Sequence, residues 1–256
     1  MTSVQRIRQP RVAEIIASRL RDDILSGRIK EGDILPSQDT LFAEFGVSPP
    51  ALREAIHILE TDGLISVRRG NVGGAVVHPP SAERTAHMIS MVLQTRSATP
   101  ADVSGALMHL EPICAGMCAA REDRLTEVVP YLEAEIQTQT EQFDNLSRYV
   151  PNARRFHEAI VSRCGNEPMI LLIGSLELIW SAHESSVWSD DGDPMEHKTM
   201  RAALRDHQRL LEAIRDGNES RAVRLAQDHL AAARRNTLAV GADKTIEAKL
   251  ISNTEH

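Results

Sequence analysis

Aromatic side chains are scarce in this 256-residue chain: four Phe, two Trp and two Tyr, 3% of the sequence. Its cores must therefore be built mainly from Leu, Ile, Val, Ala and Met. Cysteine is rarer still, with three in the chain. Cys114, Cys118 and Cys164 do not suggest a disulfide framework, and a reducing, cytoplasmic location is expected. Cys114 and Cys118 lie one helical turn apart and could in principle hold a metal, but free cysteine more commonly serves as a small buried apolar residue. No apolar run approaches the length of a membrane span, and the opening MTSVQRIRQPR lacks a signal-peptide core, so no membrane partner is expected. Internal repeats and low-complexity tracts are missing too. A basic body is also absent. Acidic and basic residues balance up to residue 80, and the whole net charge of −7 falls after it. The acidic part would be repelled by phosphates and reads as a solvated surface. Basic clusters are local: Arg6, Arg8 and Arg11 near the start, then Arg68 and Arg69.

The length allows two domains, each able to bury its own core. The most informative stretch is residues 34–77. Ser37 is a candidate N-cap, and Leu41, Phe42 and Phe45 share one face of the helix it opens. Gly46 falls where a helix must turn left-handed. Ser48 caps a second helix, and Pro49 takes its first position, where a missing N–H costs nothing. Leu52, Ala55, Ile56 and Leu59 recur at helical spacing, and Gly63 ends the run. Two short apolar stretches, 64–67 and 75–77, flank a tip rich in Arg and Gly. Two short helices joined by a glycine turn and followed by a basic hairpin make a winged helix-turn-helix, whose second helix enters the DNA major groove.

The remainder reads as helix. After a linker at residues 79–83, stiffened by Pro79 and Pro80, apolar residues recur at three- and four-residue spacing. The segments lie near 81–95, 99–121, 124–145, 147–165, 167–186, 197–216 and 219–239. Short connections imply an antiparallel all-α bundle over residues 84–240, and the polar residues 241–256 read as a frayed tail. The fold class is thus mostly α, a winged helix with a small β-ribbon (residues 1–78) followed by a helical bundle.

The first region resembles the DNA-binding domain of GntR-family transcription regulators. The resemblance rests on Leu35-Pro36-Ser37, Gly46-Val47-Ser48, Leu52-Arg53-Glu54-Ala55 and the run from Leu59 to Leu64, in that order. The bundle resembles the FCD effector domain of the FadR-type subfamily, on Leu110-Glu111-Pro112, Phe156-His157, Gly165-Asn166, His207, Gly217 and His229-Leu230. The resemblance implies a homodimeric regulator, not an enzyme, acting on pseudo-palindromic operator DNA and responding to a small carboxylate. It implies DNA contacts from Gln38, Thr40, Ser48, Arg53, Arg69, Gly70 and Asn71. It also implies a Zn²⁺ or Ni²⁺ site on His157, His207 and His229, with Asn152 beside them in the effector pocket.

Three positions depart from the family pattern. An Asp is usual four residues before the first histidine, and here Ala153 stands there. Asn152 is adjacent but about 100° away around the helix. Arginine is usual at two reading positions held here by Asp39 and Pro49, which implies a changed operator. Two other readings of the histidines are a metal-sensing regulator and a His₃ metal hydrolase. The hydrolase needs a general base that no spacing supplies. His87, His109, His183 and His197 read as surface or hydrogen-bonded core residues.

Overall fold

A computed structural model describes residues 11–68, 74–143, 146–184, 194–241 and 245–249. The chain divides into two compact units, Met1–Ser81 and Ala82–His256. The first contains α1 (Val12–Leu25), α2 (Gln38–Phe45), α3 (Pro49–Thr61), β1 (Ile65–Arg68) and β2 (Gly74–Val77). The Ser37 hydroxyl accepts from the Thr40 N–H and caps α2, which ends at Gly46 with φ 61°. That left-handed turn lets the Gly46 N–H close on the Phe42 carbonyl and redirects the chain into α3. Strands β1 and β2 pair antiparallel, Ile65 opposite Val77 and Arg68 opposite Gly74. Residues 33–35 add a short third rung, which a two-strand reading omits: Leu35 N–H donates to the Ala75 carbonyl and Val77 N–H to that of Asp33. Leu52, Ala55 and Leu59 turn one face of α3 into the core against α1 and α2. Leu59 is fully buried, so Leu59→Ala is expected to cost about 2–5 kcal/mol through lost burial and a residual cavity. Urea unfolding of the variant and the parent measures that loss.

The second unit is α4 (Ala82–Thr95), α5 (Pro100–Ala120), α6 (Arg124–Glu127), α7 (Val129–Glu141), α8 (Leu146–Ser162), α9 (Glu167–Glu184), α10 (Pro194–Arg215) and α11 (Glu219–Gly241). The single helix expected over 124–145 is two. Pro130 lacks the N–H that would continue the ladder, and the chain kinks at Val128, φ −123° and ψ −59°. Helix α5 is central, packing against α8, α9, α10 and α11. It also corrects the reading that no apolar run approaches a membrane span. Within its 21 residues an 18-residue window reaches a mean hydropathy of 1.2, but ten residues of the helix, including Glu111, are buried inside the bundle. A helix apolar all round is what a core helix requires.

The frayed tail from residue 241 is corrected for residues 245–249. These lie on the bundle, with Ile246 fully buried in its main core. Burial of Ile246 and Ala248 and four hydrogen bonds to backbone groups hold a stretch that its polar composition places in solvent.

Candidate functional site

The face of α3 turned away from its core carries Pro49, Pro50, Arg53, Glu54, His57 and Glu60, all exposed. Glu54, adjacent to Arg53, pairs with Arg11 at 3.4 Å, and Asp62 at the end of α3 pairs with Arg21 at 2.5 Å. Among the described residues Arg53 makes no ion pair, and its guanidinium stands in solvent. His57, one turn further along the same face, is a second candidate reader that the motif comparison missed. Ser48 sits at the N-cap, but its hydroxyl makes no capping bond and remains available. Thr40 is less so, because its hydroxyl bonds that of Ser37 at 2.9 Å. Pro49 and Pro50 remove two N–H groups from the start of α3, so this helix terminus offers phosphate fewer donors than usual. Arg68 is exposed at the end of β1. Arg69, Gly70 and Asn71 lie outside the described residues, as does the side chain of Gln38.

In the second unit three helices bring three imidazoles together. His157 on α8, His207 on α10 and His229 on α11 point their Nε2 atoms at one another, at 3.1 Å (207–229) and 3.2 Å (157–207 and 157–229). Each Nδ1 faces an oxygen. His157 Nδ1 meets the Glu111 carboxylate from α5. His207 Nδ1 lies 2.9 Å from Gln139 Oε1 of α7. His229 Nδ1 lies 3.8 Å from the Asp206 carboxylate, an orienting contact longer than a hydrogen bond. The amide orientation of Gln139 follows from its other contact, Nε2 donating to the Asn152 carbonyl at 3.3 Å. Oxygens at Nδ1 hold the ring protons there and leave the Nε2 lone pairs free. Three lone pairs then converge with no proton between them, an arrangement that a cation relieves. A tetrahedral ion with Zn–N near 2.0–2.1 Å separates its nitrogens by about 3.3 Å, so these residues fit one with little movement.

Electrostatics favours the neutral, metal-binding form. Burial, with repulsion from the other two rings, holds His207 well below the ordinary histidine range. Burial also lowers His229, against the opposing pull of Asp206. Phe156 stacks on His207 with ring centroids 4.3 Å apart and fixes its plane. Beside the cluster lies a buried charge group. Arg154 donates to Glu177 at 2.5 Å. Burial pushes the Glu177 carboxyl up to about 7, with Arg154 opposing and the Glu111 carboxyl adding to the rise.

The histidines named from sequence thus meet, and Asn152 does not join them. Its side chain donates to Gln142 at 2.7 Å, turned aside as one residue of helical rotation requires. It reaches the cluster only through its carbonyl. Ala153 packs with Phe143 and Met200, so an apolar patch stands where a carboxylate is usual. Sequence reasoning missed Gln139 and Asp206 and did not assign Glu111 a role. Their only signal was a buried-helix pattern containing polar residues. Cys114 and Cys118 are fully buried. Burial pushes the Cys118 thiol up to about 12 and raises Cys114 as well, which disfavours the thiolate a metal needs. His183 is buried and hydrogen-bonded to the Ile179 carbonyl, His87 bonds the Ala248 carbonyl, and His109 is exposed. The side chain of His197 lies outside those described.

Comparison with known proteins agrees with both halves. The family described as bacterial regulatory proteins, gntR family, matches residues 12–76, and the FCD domain matches residues 102–232. The HTH-type transcriptional repressor NanR of Klebsiella aerogenes is 24% identical over 239 residues, covering 91% of this chain and 88% of that protein. NanR of Escherichia coli is 24% identical over 225 residues, covering 86% and 82%. A solved structure, Streptococcus agalactiae GntR, superposes with a TM-score of 0.63 at 21% identity, over 88% of this chain and 99% of that one. That likeness is one of fold.

Proposed function

Because the chain belongs to the gntR family of bacterial regulatory proteins and carries the FCD domain, we propose that it is a cytoplasmic, homodimeric transcription regulator whose operator binding is set by a small carboxylate held in the helical unit. The convergence of three Nε2 lone pairs carries this reading. His157, His207 and His229 would hold Zn²⁺ or Ni²⁺, and the ion would supply a positive centre for an anionic effector. Among the described residues the cluster holds three neutral donors and no anionic ligand, with Ala153 where an Asp is usual. An acid therefore brings the negative charge that the ion lacks. Glu111 and Asp206 lie on the Nδ1 side of their rings, where they orient imidazoles rather than activate water, so a hydrolytic reading finds its general base in neither of them. The relatives' printed names as repressors favour repression.

Residues 1–78 would read DNA, with α3 in the major groove of each half of a pseudo-palindrome. Arg53 and His57 are the proposed readers on α3. Thr40, Ser48 and Gln38 are the proposed phosphate contacts, and Arg69, Gly70 and Asn71 the wing. Arg53→Ala is expected to weaken specific binding by about 1–3 kcal/mol, and His57→Ala by less. Titration at fixed salt on the promoter measures both. Unchanged affinity for Arg53→Ala would place the reading surface elsewhere.

The test of the whole reading is elemental analysis of purified protein, followed by operator titration with a panel of small carboxylates. Expected are one divalent ion per chain and an operator affinity that changes with one acid class and not with amines. An affinity that follows free metal concentration alone would make the ion itself the signal. Protein without metal under every loading condition would overturn the metal assignment.

A further inference from the structure

We infer that the surface formed by α4 and α9 is a binding site for a short peptide segment, and that its ligand is the chain's own residues 245–249. Four backbone groups on three consecutive residues of this segment are met by groups outside any regular ladder. Ile246 N–H donates to the Ala98 carbonyl at 2.9 Å. Glu247 N–H donates to His183 Nε2 at 3.1 Å, and Ala248 N–H to Gln94 Oε1 at 3.2 Å. His87 Nδ1 donates to the Ala248 carbonyl at 3.1 Å. His183 can accept at Nε2 because its Nδ1 proton goes to the Ile179 carbonyl, 2.8 Å away on its own helix. Side chains alternate along the segment: Ile246 and Ala248 are buried, while Thr245, Glu247 and Lys249 are exposed. Main-chain hydrogen bonds combined with a pocket for an anchoring side chain are how folded domains recognise short peptide segments; here residues 245–247 lie outside regular structure and 248–249 begin a helical turn. Ile246, fully buried, is the anchor.

The receptor groups come from two elements, α4 with the residue that follows its turn, and α9. The segment follows α11, which carries His229. Binding therefore ties the helix that begins the second unit to α9, through a ligand covalently continuous with the histidine-bearing helix. Helix α4 also packs directly on α9, with Ile89 and Leu93 partly buried against the core. Only Ala86 and Ser90 are buried along its length, and Met88, Met91 and Val92 are exposed.

The test uses the full chain. Hydrogen exchange is followed in the parent, in Ile246→Asp and in the milder Ile246→Ala. Ile246→Asp is expected to speed exchange in α4 by about ten-fold or more, with α5, α8 and α10 unchanged, as for a locally released element. Ile246→Ala should give a smaller rise confined to the same helix. A synthetic peptide of residues 242–252, added to Ile246→Asp, should restore protection of α4, and the same peptide carrying Asp at the anchor should not. Protection in the parent should be independent of protein concentration. Loss of protection throughout the unit in both variants would make Ile246 an ordinary core residue and overturn the proposal. Unchanged α4 exchange in Ile246→Asp, or failure of the peptide, would also overturn it. Concentration-dependent protection would assign the ligand to a second copy and overturn the intramolecular assignment.

Discussion

His207→Ala is expected to abolish metal binding, with bound Zn²⁺ or Ni²⁺ falling from one ion per chain to none detectable. His207 is the most buried of the three imidazoles at 1% exposure, and it is held by Gln139 on one side and Phe156 on its face. Two remaining histidines leave the ion half-ligated by protein. His207→Gln serves as the folding control, because it refills the volume without restoring an imidazole donor, and circular dichroism should show both variants helical. Unfolding of both would mark His207 as a packing residue and sink the site. The pH course is equally specific. Histidine in isolation protonates near 6.5, and from sequence alone occupancy should fall below about pH 6. Burial and mutual repulsion lower His207 and His229 in the metal-free fold. Protons then compete less well for the Nε2 lone pairs, and occupancy should persist to lower pH than that expectation. Equilibrium dialysis against a pH series decides between the two.

Ala153→Asp separates ion binding from folding. It restores a carboxylate one turn before His157 on the same face, and metal affinity should rise. The position now packs with Phe143 and Met200. Without metal, the new carboxylate is left in an apolar patch, at a cost of about 1–3 kcal/mol. Chelated variant should therefore unfold at lower urea than chelated parent, and metal-loaded variant should recover. Equal loss with and without metal would mean that the carboxylate never reaches the ion.

Much of the first unit was legible because its signals are local. The hydroxyl of Ser37, the left-handed turn at Gly46 and the position of Pro49 at the start of α3 each act within one turn of chain. Helix spans in the second unit followed from apolar spacing, except where Pro130 splits one element in two. The histidines were legible only through resemblance, since nothing in spacing says that residues 157, 207 and 229 share a point. Their orienting partners were not legible at all. Glu111, Gln139 and Asp206 lie on three different helices, and a buried Glu within an apolar helix has no local signature. Residues 245–249 failed for the converse reason. Their composition is that of solvent-exposed chain, and one Ile among polar neighbours gives no periodicity.

Arg154→Met is expected to be the most destabilising single change near the site, costing about 3–5 kcal/mol at neutral pH by leaving a buried carboxylate without its partner. Arg154 is 9% exposed and Glu177 1%. Methionine keeps most of the packing against Trp180, over which the guanidinium now sits at 5.7 Å. The loss should depend on pH in a defined direction. The Glu177 carboxyl is raised from an ordinary 4.5 to about 7 in the fold. A group raised on folding contributes stability that is complete below its unfolded value and is lost as pH rises through the folded one. Removing Arg154 deletes the main charge opposing that rise, so Glu177 moves higher still and its ionisation costs more. The variant should therefore lose more stability at pH 8 than at pH 5. Adding Glu177→Gln to Arg154→Met should recover much of the loss and flatten the difference between the two pH values. Urea unfolding of the parent, the single variant and the double variant at both pH values provides the comparison. An equal loss at pH 5 and pH 8 would show that Arg154 acts through packing on Trp180 and not through the Glu177 charge.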